Sequence, residues 1–254
     1  MIYNFRQIFK AFFTLTVCAV ILDRMTDAMA QAIPSKDEPN SKWETVINSL
    51  ANLNPPPKLV KLGFAREPFF TPDYDWKEQQ RVRRTFAGLA REENPELWEQ
   101  LLKHIIDKRY AITMRDNGPN ARNYSVGDLC RLIASERIFF ASAWHSDPDS
   151  RDRYNVWLDV GIDDIAKWRA DRPKKSLYEL QIEICERSIE EVDKAKDKDV
   201  PAKAKSHIRG KLKGTIDDLR KTKRPLFFRP LMGGFEYFDA DQAKRLREKI
   251  DQNQ

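Results

Sequence analysis

The chain has 254 residues and a formal net charge of +6, with 45 Lys and Arg against 39 Asp and Glu, and 41% of its residues are hydrophobic. This length and apolar content suit one domain with a sizeable core, and they exclude a collagen-like or wholly disordered chain. Three cysteines exclude a disulfide-rich miniprotein, and the position of the long apolar run at the extreme N-terminus excludes a polytopic membrane protein.

Residues 1–30 have the three parts of a secretory signal peptide. Two basic residues precede an apolar run over 11–22, and the run is followed by a small-x-small cleavage pattern that ends at Ala30. We therefore predict cleavage after Ala30 and export, either to a periplasm or out of the cell. The alternative is an uncleaved N-terminal membrane anchor.

Residues 31–72 are predicted to form a flexible lead, a short helix and a proline-rich connection. Ser41 and Glu44 have the spacing of a capping box, which favours a helix start at this point. Prolines from position 55 end that helix, because proline lacks a backbone donor and restricts the residue before it. The connection beyond is predicted to be irregular. Three phenylalanines are expected to hold it against the main body: Phe64, Phe69 and Phe70.

Residues 73–254 are predicted to form a single α-helical domain. Helices are expected after five N-capping residues: Asp75, Asn94, Ser125, Ser176 and Asp239. Alternation and a turn cluster within 110–124 predict a short β-hairpin. Apolar spacing over 176–196 and 201–222 predicts two long amphipathic helices that pack antiparallel. The predicted fold class is therefore mainly α: an irregular helical bundle with an antiparallel helical hairpin near the C-terminus and at most a short β-hairpin.

One segment resembles known proteins. The run Asp107-Lys108-Arg109-Tyr110 precedes Tyr124-Ser125-Val126-Gly127-Asp128-Leu129-Cys130. This pattern, D-x-R-Y followed by Y-x-V-G-D-x-C between two helices, resembles an uncharacterised group of exported bacterial proteins. The resemblance covers about 35 residues and implies an α-helical exported protein. It assigns no catalytic residue to this chain.

Two cysteines, Cys130 and Cys185, would remain after the predicted cleavage. Each lies on the apolar stripe of its predicted helix, so both are expected to be buried. An oxidising compartment would permit one disulfide between them. Their spacing leaves both the disulfide and two free thiols open.

Few residues suggest catalysis or metal binding. The sequence contains no G-x-S-x-G, H-E-x-x-H, P-loop or dinucleotide motif, so an enzyme is disfavoured and no cofactor is expected. His145, Asp147 and Asp149 form a weak metal-site candidate, but they lack a suitably spaced second histidine, and no metal site is predicted. His104 is expected at the edge of a core, and His207 on the surface.

Positive charge is concentrated in residues 201–224, which contain nine basic and two acidic side chains. Such a segment attracts an anionic polymer or an anionic membrane surface. The candidate polyanion-binding residues in this segment are Lys203, Arg209, Lys213 and Arg220. No specific nucleic acid is predicted, because aromatic residues are not interleaved with the charges.

The leading functional interpretation is an exported helical protein that acts by binding or by structural interaction, with a partner that the sequence leaves unknown. The first alternative is a polyanion-binding module that uses the basic segment. The second alternative is an unrecognised hydrolytic enzyme.

Overall fold

The computed structural model describes residues 42–116, 118–139, 164–196, 202–227 and 235–252. These ranges contain eight helices and two small antiparallel sheets, and 59% of the described residues are helical. The mainly α fold class is therefore confirmed. The predicted signal peptide and the candidate metal site at His145, Asp147 and Asp149 lie outside the described residues.

The described ranges contain the following elements in chain order. The helices are α1 (Lys42–Asn48), α2 (Trp76–Arg91), α3 (Pro95–Lys103), α4 (Val126–Phe139), α5 (Ile165–Ala170), α6 (Leu177–Lys194), α7 (Ala202–Thr222) and α8 (Ala240–Asp251). The strands are β1 (Lys58–Leu62), β2 (Ala65–Phe69), β3 (Tyr110–Asp116), β4 (Ala121–Ser125) and β5 (Phe235–Tyr237). None of the helices in the described ranges is long and apolar enough to cross a membrane.

Local capping explains where the predicted helices begin. The side chains of Asp75, Asn94 and Asp239 accept backbone N–H bonds at the starts of α2, α3 and α8. Ser176 and Glu179 form a reciprocal capping box before α6. These bonds satisfy donors that have no partner inside the helix, so the capping predictions are confirmed at these positions.

A β-hairpin occupies the connection that was predicted to be irregular, and that prediction is wrong. Strands β1 and β2 pair antiparallel, from Lys58 opposite Phe69 to Leu62 opposite Ala65. Gly63 has a φ of 62°, which suits the first central position of a two-residue hairpin loop. We call this unit the first β-hairpin.

The second sheet has the strand order β4-β3-β5, and all its pairs are antiparallel. The hairpin β3-β4 is the one predicted over 110–124. Strand β5 extends it through three residue pairs, from Met114 with Tyr237 to Asp116 with Phe235.

Three apolar clusters hold the described elements together, and two of them contain the core residues of α1 to α7. The main cluster includes Ile47 of α1, Phe86 of α2 and Trp98 of α3, so α1 packs into the same core as the later helices. The second cluster lies between α6 and α7 and includes Leu212. Helix α6 serves both, because it places Ile184 in the main cluster and the next residue, Cys185, in the second.

Helices α6 and α7 form the predicted antiparallel hairpin. Arg209, early in α7, pairs with Asp193 near the end of α6. Arg220, near the end of α7, pairs with Glu186 in the middle of α6. The reversed order of these contacts shows that the two helices run in opposite directions.

Candidate functional site

The basic segment predicted as a polyanion site lies on α7, against an acidic neighbour. Helix α6 carries six acidic and two basic side chains, whereas α7 carries seven basic and two acidic ones. Arg209 and Arg220 form ion pairs with α6, and Lys203 also interacts within the chain. Of the four predicted residues, Lys213 is exposed and has no ion pair with a described residue. Two of the seven basic side chains of α7 are therefore paired with acidic side chains of α6.

The two histidines in the described ranges are both partly buried. His104 ends α3, and burial lowers its pKa although Asp107 and Glu44 oppose the shift. This position agrees with the prediction of a histidine at the edge of the core. His207 differs from its predicted surface position, because its Nε2 atom is buried and has no hydrogen-bond partner among the described residues.

Cys130 and Cys185 are both buried, as predicted, and both are free thiols. They belong to different apolar clusters, so the structure corresponds to the free-thiol alternative and not to the disulfide. Burial raises the pKa of each thiol to about 12. Because the thiolate is the reactive form, neither group is a nucleophile at neutral pH.

The V-G-D part of the resembling segment forms the start of α4 and contacts the loop that follows α3. The Gly127 amide donates to the Asp107 carbonyl at 2.9 Å, and a Cβ on Gly127 would lie 2.5 Å from the Ile105 carbonyl oxygen. The Asp128 carboxylate accepts from the Ser125 amide at 2.9 Å and from its hydroxyl at 2.7 Å. These residues allow α4 to start against the loop that follows α3, which is a structural role.

A partly buried network of hydroxyl and amide groups fixes β4 beside the first β-hairpin. The Tyr110 hydroxyl lies 2.7 Å from the Thr113 hydroxyl, which donates to Asn123 Oδ1 at 2.7 Å. Asn123 Nδ2 then donates to the Pro57 carbonyl at 2.9 Å, just before β1 begins. Burial raises the pKa of Tyr110, so this network stays protonated at neutral pH.

A groove of about 990 Å³ lies between the first β-hairpin and residues 120–123 at the start of β4. A hydrogen bond from the Arg66 amide to Asn120 Oδ1, at 2.8 Å, joins the two sides of the groove. Three cations line it: Lys61, Arg66 and Arg122. None of the described lining residues is acidic, so we call this surface the cationic groove.

Two of these cations face each other. Lys61 and Arg66 are paired residues in the β1-β2 register, so their side chains project from the same face of the hairpin. Like charges directly opposite each other destabilise a sheet. Neither residue forms an ion pair within the ranges that the structure describes. Glu67 is the next residue but points to the other face, where it pairs with Arg115.

The tip of the first β-hairpin presents an aromatic ring at the rim of the groove. Phe64 is 87% exposed, so the prediction that it holds the connection against the body is wrong. The two-residue loop places this ring at the extreme end of the hairpin. Phe70 is buried and Phe69 is partly buried, in agreement with the prediction.

The sequence itself contains a signal for the first β-hairpin. The run from Lys58 to Phe69 has a glycine at the centre of two short segments with strand-forming residues, which is typical of a hairpin. The charges at Lys61 and Arg66 become neighbours only once that register is known.

The chemistry of the described groove lining is that of hydrogen-bond donors for an anion. The described lining has no carboxylate, histidine or cysteine to serve as a base or nucleophile. Within the parts of the chain that the structure describes, no group of three or more His, Cys, Asp or Glu side chains could hold a metal ion. The cations and the side-chain amide of Asn120 can instead donate hydrogen bonds to an anion.

No family model matches this chain, and neither a curated protein nor a solved structure matches it. The resemblance of residues 101–130 to exported bacterial proteins therefore stays a prediction.

Proposed function

We propose that this protein is an exported binding protein whose cationic groove holds an anionic group of its ligand. The observation that carries the proposal is the placement of Lys61 directly opposite Arg66, with Arg122 in the same groove and no acidic side chain among the described lining residues. Export is proposed from the sequence pattern of residues 1–30.

The electrostatics favour an anion over an empty groove. Without a ligand, Lys61 and Arg66 repel each other, which costs the hairpin about 0.2–1 kcal/mol. An anion bound between them is attracted to both side chains, and these two attractions offset the repulsion. Each attraction is worth about 1 kcal/mol in water and is weakened by salt. We therefore expect moderate, salt-sensitive affinity.

The shape of the donors indicates the kind of anion. A guanidinium group matches the paired oxygens of phosphate, sulfate or carboxylate groups. Asn120 adds a neutral donor, because its Oδ1 accepts from the Arg66 amide and leaves Nδ2 for a ligand. A phosphate-bearing ligand uses all of these donors.

Inorganic polyphosphate is a direct probe of the groove. We expect the double variant Lys61→Gln, Arg66→Gln to bind polyphosphate at least about tenfold more weakly than the parent, by titration calorimetry at low salt. The matched control is Lys213→Gln, Lys221→Gln, which removes the same charge from exposed positions on α7.

The two double variants separate the groove from the predicted site on α7. Weaker binding of the groove variant alone supports the proposal. Equal weakening of both variants would show that only net charge matters. Weakening of the α7 variant alone would move the polyanion site to the basic helix, as the sequence analysis allowed.

A further inference from the structure

We propose that the anion held in the cationic groove is the headgroup of an anionic phospholipid, and that Phe64 enters the interfacial region of the bilayer. This inference rests on the proposed groove function and names its ligand. It is carried by the combination of a fully projecting aromatic ring with cations immediately behind it.

The position of Phe64 distinguishes a lipid surface from a small soluble anion. Phe64 lies in the two-residue loop at the end of the first β-hairpin and is 87% exposed. A free phosphate in the groove needs the cations but gains nothing from an apolar ring that points outward. A membrane interface accommodates both, because aromatic rings favour that region and basic side chains interact with the phosphate layer.

The hairpin register places these groups at matching depths. Leu62 and Ala65 close the loop, and Lys61 and Arg66 form the next pair. One residue along a strand is about 3.3 Å, so the charged pair lies a few ångströms behind the tip. A shallow insertion of the Phe64 ring would therefore bring both cations to the phosphate groups without burying either charge.

Charge complementarity supports an anionic lipid over a neutral one. Lys61 and Arg66 project from one face of the hairpin, and Arg122 lies across the groove from them. The acidic residue of the hairpin, Glu67, is turned away and paired with Arg115. Each basic side chain near an anionic surface strengthens binding by about fivefold.

Vesicle co-sedimentation tests the inference with protein produced from the full-length sequence. We use vesicles of phosphatidylcholine alone and of phosphatidylcholine mixed equally with phosphatidylglycerol. We expect binding to the mixed vesicles only. Lys61→Gln, Arg66→Gln should weaken it by about 25-fold, and Phe64→Ala by about tenfold. Phe64→Trp should restore it, because tryptophan also favours the interface.

A matched control separates insertion from general hydrophobicity. Leu53 has the same exposed fraction as Phe64, 87%, but does not line the groove. Leu53→Ala should leave vesicle binding unchanged. Equal weakening by Leu53→Ala and Phe64→Ala would overturn a specific role for the hairpin tip. Because both side chains are exposed, these variants should fold normally.

Soluble ligands distinguish failure of this inference from failure of the groove function. If Phe64→Ala binds mixed vesicles as the parent does while the cation variant does not, the ligand is an anion without insertion, and this inference fails alone. If Phe64→Ala weakens binding to dextran sulfate as much as to vesicles, the partner is an anionic polysaccharide. If the cation variant binds polyphosphate as the parent does, the groove function itself fails.

Discussion

The helical hairpin and the first β-hairpin differ in how their charged side chains are arranged. In the helical hairpin, cations of α7 meet acids of α6, as in the pairs of Arg209 with Asp193 and of Arg220 with Glu186. In the first β-hairpin, Lys61 faces Arg66. Ion pairs with α6 therefore take up part of the richest run of positive charge in the sequence, whereas Lys61 and Arg66 line a groove with no acidic side chain among its described lining residues.

The helical hairpin and the first β-hairpin also differ in how far their apolar side chains are buried. The helical hairpin buries its apolar stripe between α6 and α7, as Leu212 shows. The first β-hairpin leaves Phe64 exposed at its tip. A region whose charges and apolar groups are satisfied contributes stability, and a region where both are left exposed is the better place to look for binding.

The largest effect is expected for a charge placed in the helical core. Ile184 of α6 is fully buried in the main cluster, so Ile184→Asp should lower the free energy of unfolding by about 3–5 kcal/mol. The control is Ile182→Asp, whose side chain is only partly buried and should cost less than half as much. Urea unfolding measures both. Equal losses of unfolding free energy in the two variants would show that positions 182 and 184 are equally buried.

The thiol of Cys185 reports whether the helical hairpin is closed. Burial holds the pKa of Cys185 at about 12 in the folded state, against 9.0 for the ordinary group. The contribution of this thiol to stability is therefore fully present below pH 9. It is lost as the pH rises from 9 toward 12, because the thiol ionises there in the unfolded state while the buried thiol stays protonated. Each such thiol changes stability by at most about 1.4 kcal/mol per pH unit.

Two measurements check this prediction. Native protein should not react with a thiol reagent at neutral pH, and denatured protein should react without added reductant. The loss of stability above pH 9 should be smaller in Cys185→Ala. Rapid labelling of the native thiol would mean that the helical hairpin opens.

A single added methyl group should also disturb the helical body. Gly127→Ala would place a Cβ 2.5 Å from one carbonyl oxygen and 2.8 Å from another, and both belong to the backbone. We expect a loss of about 1–3 kcal/mol. Gly210→Ala is the control, because nothing lies near that position on α7, and it should stabilise the helix by about 0.5–1 kcal/mol. Thermal unfolding of the two variants should shift in opposite directions.

The first β-hairpin should gain stability from a change that impairs binding. Lys61→Glu replaces the repulsion with Arg66 by an attraction, so stability should rise by about 0.2–1 kcal/mol while polyphosphate affinity falls. Lys58→Glu is the control, because Lys58 faces Phe69 and no charge, and its stability should not rise. A loss of stability in Lys61→Glu would show that the two cations are not in conflict.

The smallest effect is expected at the exposed ion pairs of the helical hairpin. Arg220→Glu or Glu186→Arg alone should cost about 0.2–1 kcal/mol, because both side chains are about half exposed. The double variant should recover most of that loss and should respond to salt as the parent does. A double variant as unstable as the singles would mean that these charges do not interact.

Local patterns in the sequence were enough to predict the helices. Capping residues such as Asp75 and Ser176 bond to amides within three positions, so both partners are visible in one short stretch. The antiparallel helical hairpin and the burial of Cys130 and Cys185 follow from apolar spacing in the same way.

Contacts between distant positions were decided only by the tertiary structure. Arg220 meets an acid 34 positions earlier in the chain, and the sequence alone does not reveal that neutralisation. The groove likewise needs residues 59–66 beside residues 120–123, which the hydrogen bond from the Arg66 amide to Asn120 brings together. Helix formation depends on neighbours three or four residues apart, whereas the sign and exposure of a surface depend on which elements pack against it.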